Sequence, residues 1–597
     1  MKPELDPVSL RELLPTWRAR LVLVLLLGSF LLLVGRSLYL QSFNEDFLQK
    51  KGAERYSRAL EIPASRGRVV DRNGEVLAQS APVKSIWMVV RPDDKEKGKS
   101  KEEDLVMTPA QSRQLAGLLG ISTVELEEKR SQLGLGAKGK KAVLLKRQVA
   151  PEVADQIAAM NLKIIEQRKG YRRYYPLGET TAHLLGFTDV DDKGVEGIEF
   201  AFDSELTGQS GSRRVVIDRR RQVVEEEEYI KAPLEGGDVT LAMDSKVQHQ
   251  AFSALRDAMA EHKAKAGGIV VLDVRTGEIL ALVNMPTYNP NKSQGKVGAQ
   301  TRNRALTDTF EPGSTMKPFT AAMALESGRY RPESNIQTAP GRMTIGSATI
   351  SDAHPHGMLS LAEVIQKSSN VGAAKIALEY EPEVMWRMFD NLGFGQPLKL
   401  GLAGEAAGRL RPFRKWKPIE QATMSYGHGI SVNLLQLAQA YLPLARDGDS
   451  IPLALRRREP GAQLESRRIF TPQTARSVRH MLELAVQPGG TAPKAQIPGY
   501  RVGGKTGTSH KLEDGVYTNK YVSSFVGMAP ASDPRLIVAV MVDEPSNGKH
   551  YGGEVAAPVF AQVMVGALRT LGVAPDAATD VRTDRAKLAA PAVPESM

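Results

Sequence analysis

The sequence predicts an α/β protein: one membrane helix, a mixed α+β scaffold, and a layered domain in which a five-stranded sheet carries helices on its faces. Three observations lead there. Leu21 to Leu40 is a run of twenty predominantly apolar residues, long enough for a bilayer at about 1.5 Å per residue. From Ser42 to about Glu235, short strand patterns alternate with polar helices and charge runs such as Asp93 to Asp104, with no catalytic constellation. From Gly236 the pattern becomes an alternation of strand and helix signals.

The 597 residues exceed one ordinary core, and 42% hydrophobic with 25% charged residues is globular composition. No cysteine is present, which excludes disulfides, thiolate catalysis and cysteine-ligated metal sites. The formal charge of +11 leaves nucleic acid, anionic lipid or an acidic polymer open as partners. Arg213, Arg214, Arg219, Arg220 and Arg221 cluster without interleaved aromatics, the pattern of a solvated face, so no nucleic-acid partner is expected.

The apolar run is broken only by Ser29 before Gly35. Arg36 can snorkel to the interface, and Tyr39 suits the headgroup level. No small-residue cleavage site follows, so the span reads as an uncleaved anchor. Arg18 and Arg20 lie beside it on the N-terminal side, whereas Lys50, Lys51, Arg55 and Arg58 follow at greater distance. That asymmetry favours a short cytoplasmic tail, residues 1–20, an anchor over 21–40 and a large extracytoplasmic remainder.

Asp238-Val-Thr-Leu is strand-like and opens the layered domain. Gly268 to Asp273 and Glu278 to Val283 flank the turn-rich Val274-Arg-Thr-Gly277, a hairpin signal. Val502 to Thr508, Tyr521 to Met528 and Leu536 to Val542 complete five strands, and a C-terminal helix starts near Ala557. Beyond Gly572 the chain is rich in Ala, Asp and Pro, so 573–597 reads as a disordered tail.

The chemistry lies in three short motifs. Ser-x-x-Lys occurs at Ser293 to Lys296, Ser314 to Lys317 and Ser546 to Lys549. Only the middle one opens an amphipathic helix, with Met316, Phe319 and Met323 on one side. There a lysine amine can reach the serine hydroxyl and take its proton, provided burial or a nearby cation such as Lys505 keeps it neutral. Ser-x-Asn occurs at Ser42 to Asn44, Ser368-Ser369-Asn370 and Ser431-Val-Asn433, each readable as a cap or turn. Lys505-Thr506-Gly507-Thr508 occurs once, beside a strand. The ordered set, Ser-x-x-Lys, Ser-x-Asn, Lys-Thr-Gly-Thr, is the informative signal.

That triple signature, together with Asn303 to Lys317, Ser425 to Ser431 and Ile497 to Gly504, resembles the class B penicillin-binding proteins. Ser65 to Gly74 and Gly194 to Glu199 are similar to the non-catalytic pedestal of that class. The resemblance implies a dimerisation-type pedestal over 41–235 and a mainly antiparallel penicillin-binding/β-lactamase-like transpeptidase domain over 236–572. Tyr39-Leu-Gln41 and Pro82 to Trp87 look most like the cell-division branch, with the elongation branch and a β-lactam-binding sensor as alternatives. It further implies a single-pass inner-membrane enzyme with its catalytic domain in the periplasm. Its substrates would be peptidoglycan stem peptides, a D-Ala-D-Ala donor and an amine acceptor. β-lactams would be its inhibitors, and an FtsW-like glycosyltransferase and other division proteins its partners. No cofactor or metal is implied. Carried over by motif, Ser314 is the nucleophile, Lys317 its base, Ser368 a proton relay, Asn370 a holder of the donor peptide and Lys505 a source of positive charge. Thr506 and Thr508 grip the terminal carboxylate beside Gly507.

Gly134-Leu-Gly136-Ala-Lys-Gly139 matches a dinucleotide pattern but follows a polar stretch, so it reads as a loop. Asp352, His354 and His356 alternate like metal ligands without a further histidine at helical spacing. They read as a turn or cleft edge, and neither they nor His428 and His510 receive a catalytic role.

Overall fold

The computed structural model describes residues 16–42, 57–89, 107–133, 141–217, 223–293 and 298–578. The Asp93 to Asp104 run, Gly134 to Gly139, Asn44, Lys50, Lys51, Arg55, Arg219 to Arg221 and Lys296 lie outside these residues. The chain divides into two compact units.

The first unit holds the helix Thr16–Ser42, the one helix among the described residues long and apolar enough to cross a membrane. Its apolar side chains are exposed on all sides, as a lipid-facing helix requires. The Arg36 guanidinium lies 5.5 Å from the Tyr39 ring centroid. The same unit contains an antiparallel sheet in the order Ser57–Ile62, Gly211–Ile217, Val223–Lys231. Arg213 of the basic cluster stacks 5.0 Å from the ring of Tyr229 on the neighbouring strand.

The second unit combines the rest of the pedestal with the catalytic domain. Its pedestal sheet is organised around the long strand Val76–Val89, which pairs with Ala142–Val149, Ile165–Tyr174 and Val69–Val70. Val239–Thr240 adds to Val69–Val70 in parallel. Here the structure departs from the sequence reading, in which Asp238-Val-Thr-Leu opened the catalytic domain. The strand pattern is correct, but its partner lies 170 residues away, and local periodicity cannot reveal which sheet a strand joins.

A buried ion network joins the two pedestal segments singled out in the sequence. Arg66 Nε is 2.7 Å from Glu199 Oε2, Arg173 Nε is 2.6 Å from Glu199 Oε1, and Arg66 Nη1 is 2.7 Å from Asp203 Oδ1. Glu199 has no exposed surface. The turn after Val70 is held by Asp71, whose Oδ1 accepts from the amides of Asn73 and Glu75, while Oδ2 accepts from the amide of Ser245.

The catalytic domain begins with α1 (Ser245–His262), capped by Asp244, and continues through β1 (Ala266–Asp273) and β2 (Ile279–Met285). Then come α2 (Lys317–Glu326), α3 (Leu361–Lys367), α4 (Asn370–Leu378) and α5 (Pro472–Val486). The remaining strands are β3 (Gly503–Glu513), β4 (Val516–Ala529) and β5 (Leu536–Asp543), followed by α6 (Gly552–Thr570). The sheet order is β2-β1-β5-β4-β3, antiparallel throughout, with β3 at the edge.

Both faces of this sheet are covered, so its central strands are continuous apolar runs rather than alternating ones. Ile269, Val271, Val538 and Val540 pack with Val247, Leu255, Val555 and Phe560 of α1 and α6. Val270, Leu272, Ile537 and Ala539 face the opposite way, toward Met316, Phe319, Leu434 and Tyr441. α6 starts five residues before the expected Ala557 and carries Pro558 internally. Proline disfavours helix continuation, which is why the sequence pattern suggested the later start, yet packing against the sheet holds the first turns in place. The expected tail is also ordered at its beginning. Asp576 Oδ1 accepts from the Arg501 amide at 2.7 Å, and the Tyr500 hydroxyl donates to the Val573 carbonyl at 2.6 Å.

Replacing Glu199 by Ala leaves two guanidinium groups buried without their shared carboxylate, and removing one member of such a buried network costs about 3–5 kcal/mol. The expected outcome is a clear drop in melting temperature, read by calorimetry on the full chain.

Candidate active site

Pro312 and Gly313 lead into a 3-10 turn, Gly313–Met316, which precedes α2. Ser314 therefore sits one turn ahead of the α-helix proper. In a 3-10 turn residues i and i+3 eclipse, which places Lys317 directly over Ser314. Lys317 Nζ is 3.0 Å from Ser314 Oγ. Lys317 has no exposed surface and Ser314 is 4% exposed. Below them, Phe319 packs edge-to-face with Phe394 and Tyr441, ring centroids 5.8 and 5.3 Å away, and the Tyr441 hydroxyl donates to the Thr315 carbonyl at 2.8 Å.

Ser368 closes α3 and Ser369 caps α4. Ser368 has φ 61°, a left-handed conformation uncommon for a residue with a Cβ. That conformation turns both its hydroxyl and its carbonyl to Lys317 Nζ, at 3.0 and 2.5 Å. Ser369 Oγ accepts from the Gly372 amide at 2.9 Å and donates to Asp352 Oδ2 at 2.6 Å, while Asp352 Oδ1 accepts from the Val371 amide at 2.9 Å. Asp352 thus fixes the start of α4. Among the described residues no group of three His, Cys, Asp or Glu could hold a metal ion. Asn370 donates to the Ser351 carbonyl at 3.1 Å.

The third segment is the edge strand β3. Lys505 is fully buried, its Nζ 3.1 Å from Thr506 Oγ1 and 3.4 Å from the Thr506 carbonyl. Thr506 Oγ1 lies 3.0 Å from Thr491 Oγ1. Thr508 Oγ1 accepts from the Gly552 amide at 3.0 Å, so the beginning of α6 braces the end of the motif. A Cβ on Gly507 would stand 2.4 Å from Ser524 Oγ and 2.7 Å from the Pro312 carbonyl, so glycine is what lets β3 approach the serine turn.

Of the residues singled out in the sequence, Ser314, Lys317 and Ser368 meet at one amine, while Asn370, Lys505, Thr506, Gly507 and Thr508 make the contacts just described. Of the other Ser-x-Asn and Ser-x-x-Lys matches, the two that lie wholly among the described residues differ. Asn433 is a buried helix cap bonded to Gln436, and Ser546 donates to the Lys263 carbonyl in a surface loop.

Sequence reasoning missed the layer behind the site. The Tyr426 ring lies 6.0 Å from Lys317 Nζ, and the Ser425 carbonyl accepts from Thr320 Oγ1 at 2.8 Å. Gly427, with φ 88°, sits where a Cβ would be 2.1 Å from the Gly313 carbonyl. The segment Ser425 to Ser431 was visible as a family pattern, but nothing local linked it to the serine turn. Glu311, Thr491 and Tyr517 carried no signal of their own. Glu311 accepts from the Gly429 amide at 2.8 Å and from the Tyr517 hydroxyl at 3.1 and 3.2 Å. Burial raises its carboxyl above the ordinary range, and burial with Glu311 nearby pushes the Tyr517 hydroxyl up to about 12.

His428 keeps some solvent contact, yet the dense protein around it, followed by Lys317 and His510, lowers its pKa to about 4 from 6.5. Between those values the unfolded chain binds a proton that the folded chain does not. The stabilisation from the neutral ring is therefore complete above about pH 6.5 and is lost as pH falls toward 4. His428→Gln is expected to remove this dependence. Relative to the variant, the parent protein should lose up to about 1.4 kcal/mol per pH unit across that window, measured by denaturant unfolding at stepped pH.

Comparison with known proteins agrees with this geometry. Residues 267–565 match the family model described as penicillin binding protein transpeptidase domain, and residues 61–241 match the penicillin-binding protein dimerisation domain. The chain is 40% identical to peptidoglycan D,D-transpeptidase FtsI of Escherichia coli strain K12, over 94% of this chain and 93% of that protein. It is 41% identical to the probable peptidoglycan D,D-transpeptidase PenA of Neisseria gonorrhoeae, with the same coverage. Among solved structures, the transpeptidase domain of Burkholderia pseudomallei penicillin-binding protein 3 is 48% identical with a TM-score of 0.53, covering 57% of this chain and 98% of that one. A peptidoglycan synthetase from Bifidobacterium adolescentis is 27% identical with a TM-score of 0.67, covering 91% of this chain and all of that one. The buried Ser-Lys-Ser cluster beside an edge strand thus belongs to a membrane-anchored peptidoglycan D,D-transpeptidase, and the chain is a member of the class B penicillin-binding protein family.

Proposed function

We propose that the chain cross-links stem peptides at the division septum, with Ser314 as nucleophile and Lys317 as its base. The observation that carries the reading is the Lys317 amine, enclosed in protein and within 3.0 Å of both the Ser314 and Ser368 hydroxyls. Burial disfavours the charged ammonium, which is the direction a base requires.

In this mechanism Ser314 Oγ attacks the carbonyl of the penultimate D-Ala and its proton passes to Lys317. The oxyanion is held by the amides of Ser314 and Thr508. The C–N bond breaks, the departing D-Ala amine takes its proton through Ser368, and an ester remains on Ser314. An acceptor amine then attacks that ester and gives up a proton to the same pair, and Ser314 is restored as the new amide forms. Thr506 and Thr508 hold the terminal carboxylate, Lys505 adds positive charge, Asn370 holds the donor backbone and Gly507 keeps the strand close. A β-lactam acylates Ser314 as a mimic of D-Ala-D-Ala.

The septal assignment rests on Tyr39 to Gln41, on Pro82 to Trp87 and on the likeness to FtsI over nearly the whole chain. Arg18 and Arg20 favour a cytoplasmic N-terminus with the catalytic domain in the periplasm. An FtsW-like glycosyltransferase would supply the strands to be cross-linked.

Incubation of the detergent-solubilised full chain with benzylpenicillin is expected to give a slowly released adduct on the Ser314 peptide, absent in Ser314→Ala. In Lys317→Met the acylation rate should fall by about 10²–10⁴, the range for loss of a general base. Rapid drug hydrolysis would instead indicate a lactamase. For the septal role, depletion of the protein should yield filamentous cells; rounded cells would assign it to elongation.

A further inference from the structure

The residues after α6 stay attached to the catalytic domain. The helix closes in a Schellman turn, with the Val573 amide on the Leu568 carbonyl at 2.9 Å, and the next residues bond to the segment that leads into β3. The Tyr500 hydroxyl donates to the Val573 carbonyl at 2.6 Å, and the Ala577 amide donates to the Gly499 carbonyl at 3.1 Å. Between them sits the half-buried Asp576. Its Oδ1 accepts from the Arg501 amide at 2.7 Å, and its Oδ2 accepts from the Ser532 hydroxyl at 2.6 Å and the Ser532 amide at 3.3 Å. Ser532 belongs to the connection between β4 and β5, where the Ala531 amide also donates to the Arg501 carbonyl at 2.8 Å. One carboxylate therefore ties the approach to β3 to the β4–β5 connection.

Arg501 stands just ahead of Gly503, the first residue of β3. Its guanidinium forms a two-pronged pair with Glu483 of α5 at 3.0 and 2.9 Å, while its backbone amide goes to Asp576. The entry to the strand is thus held from α5 on one side and from the C-terminal segment on the other. β3 needs such a hold because it is an edge strand, with β4 as its sole neighbour in the sheet. At about 3.4 Å per residue, Lys505 lies about 14 Å along the strand from Arg501 and Thr508 about 24 Å. A displacement at Arg501 therefore meets Lys505 and Thr506 first, whereas Thr508 has its own support in the Gly552 amide.

We propose that residues 573–577 are a clasp that sets the position of β3, with Asp576 as a positioning residue that acts through the Arg501 backbone on Lys505 and Thr506. This rests on the catalytic reading above, in which Lys505 and Thr506 meet the terminal carboxylate of the substrate. It gives the C-terminal segment a part in binding that carboxylate and none in the chemistry at Ser314. Hydrogen bonds from N–H and O–H groups to a carboxylate are charge-assisted, so Asp576 is the strongest tie in the clasp and the one whose loss should be felt along the strand.

The test uses the solubilised full chain, with benzylpenicillin and its methyl ester as probes. The concentration dependence of acylation separates the dissociation constant of the non-covalent complex from the rate of acylation within it, and both are read on the acylatable fraction alone. In Asp576→Ala the dissociation constant for benzylpenicillin should rise about tenfold, while the acylation rate stays within about twofold of the parent value. The methyl ester offers no carboxylate, so its dissociation constant should not move. Ser532→Ala should give a smaller rise in the same direction. Asp576→Asn keeps an oxygen for the Arg501 amide and should restore most of the affinity. Ending the chain after Gly572 should reproduce Asp576→Ala, and ending it after Ala578 should reproduce the parent; if the shorter chain does not fold, the point variants carry the test. A purely structural role would lower the melting temperature or the acylatable fraction and leave the ratio of the two dissociation constants unchanged. That result in Asp576→Ala and Ser532→Ala would overturn the clasp and leave the catalytic reading intact. So would a fall in acylation rate at unchanged affinity. A parent protein that benzylpenicillin does not acylate at Ser314 would overturn the catalytic reading, and the clasp with it.

Discussion

The site depends on keeping the amine of Lys317 inside the protein. A lysine enclosed in protein loses its hydration, and the groups that surround it decide whether it is charged. Here the groups within 3.0 Å include two hydroxyls and a carbonyl, so hydrogen bonds from two separate segments fix where the amine stands. Much of the local backbone follows from that arrangement. The 3-10 turn stacks Ser314 on Lys317, and the left-handed Ser368 turns hydroxyl and carbonyl to the same point. The aromatic packing of Phe319 with Phe394 and Tyr441 keeps α2 from shifting.

The second requirement is an open strand edge close to the serine. An exposed edge invites unwanted pairing, yet in the proposed mechanism it is the surface along which a peptide lies. β3 reconciles the two because it is pinned from behind. Gly507 lets it touch the Pro312 turn, the Gly552 amide holds Thr508, and Thr491 meets Thr506. The strand is thus rigid where the substrate's carboxylate would bind and remains unpaired on its outer side in the sheet.

Local patterns were enough to find all five strands of the catalytic sheet, because strands buried on both faces give continuous apolar runs that stand out against polar loops. The three motifs were legible for a similar reason: each packs several constrained residues into a short segment. What stayed hidden was long-range pairing. Val239-Thr240 looked like the first strand of the catalytic domain and instead joins Val69-Val70. Glu311, Thr491 and Tyr517 reach the site through contacts across 15 to 206 residues, and a single glutamate in a loop or tyrosine at the start of a strand announces nothing. Asp352 reads in the sequence as part of a turn or cleft edge beside two histidines, and local pattern does not reveal that it holds the start of α4.

The same long-range pairing changes how the pedestal is understood. Val69, Leu77 and Leu185 share a core with Val270 and Leu272 of the catalytic sheet, so this part of the pedestal is not a separate body resting on the enzyme. Asn73 donates to Asp244 Oδ2 at 3.0 Å, and Asp71 accepts from the Ser245 amide, so the pedestal turn caps the first catalytic helix. Arg66 precedes that turn by five residues and is locked by Glu199 and Asp203. Arg66 of the charged network and the turn thus lie on one short chain segment, and hydrogen bonds from that turn reach the start of α1. A disturbance at Glu199 would reach the start of α1 through the Arg66 ion pair, the short backbone stretch to Asp71 and the hydrogen bonds of Asp71 and Asn73, without requiring a domain to swing.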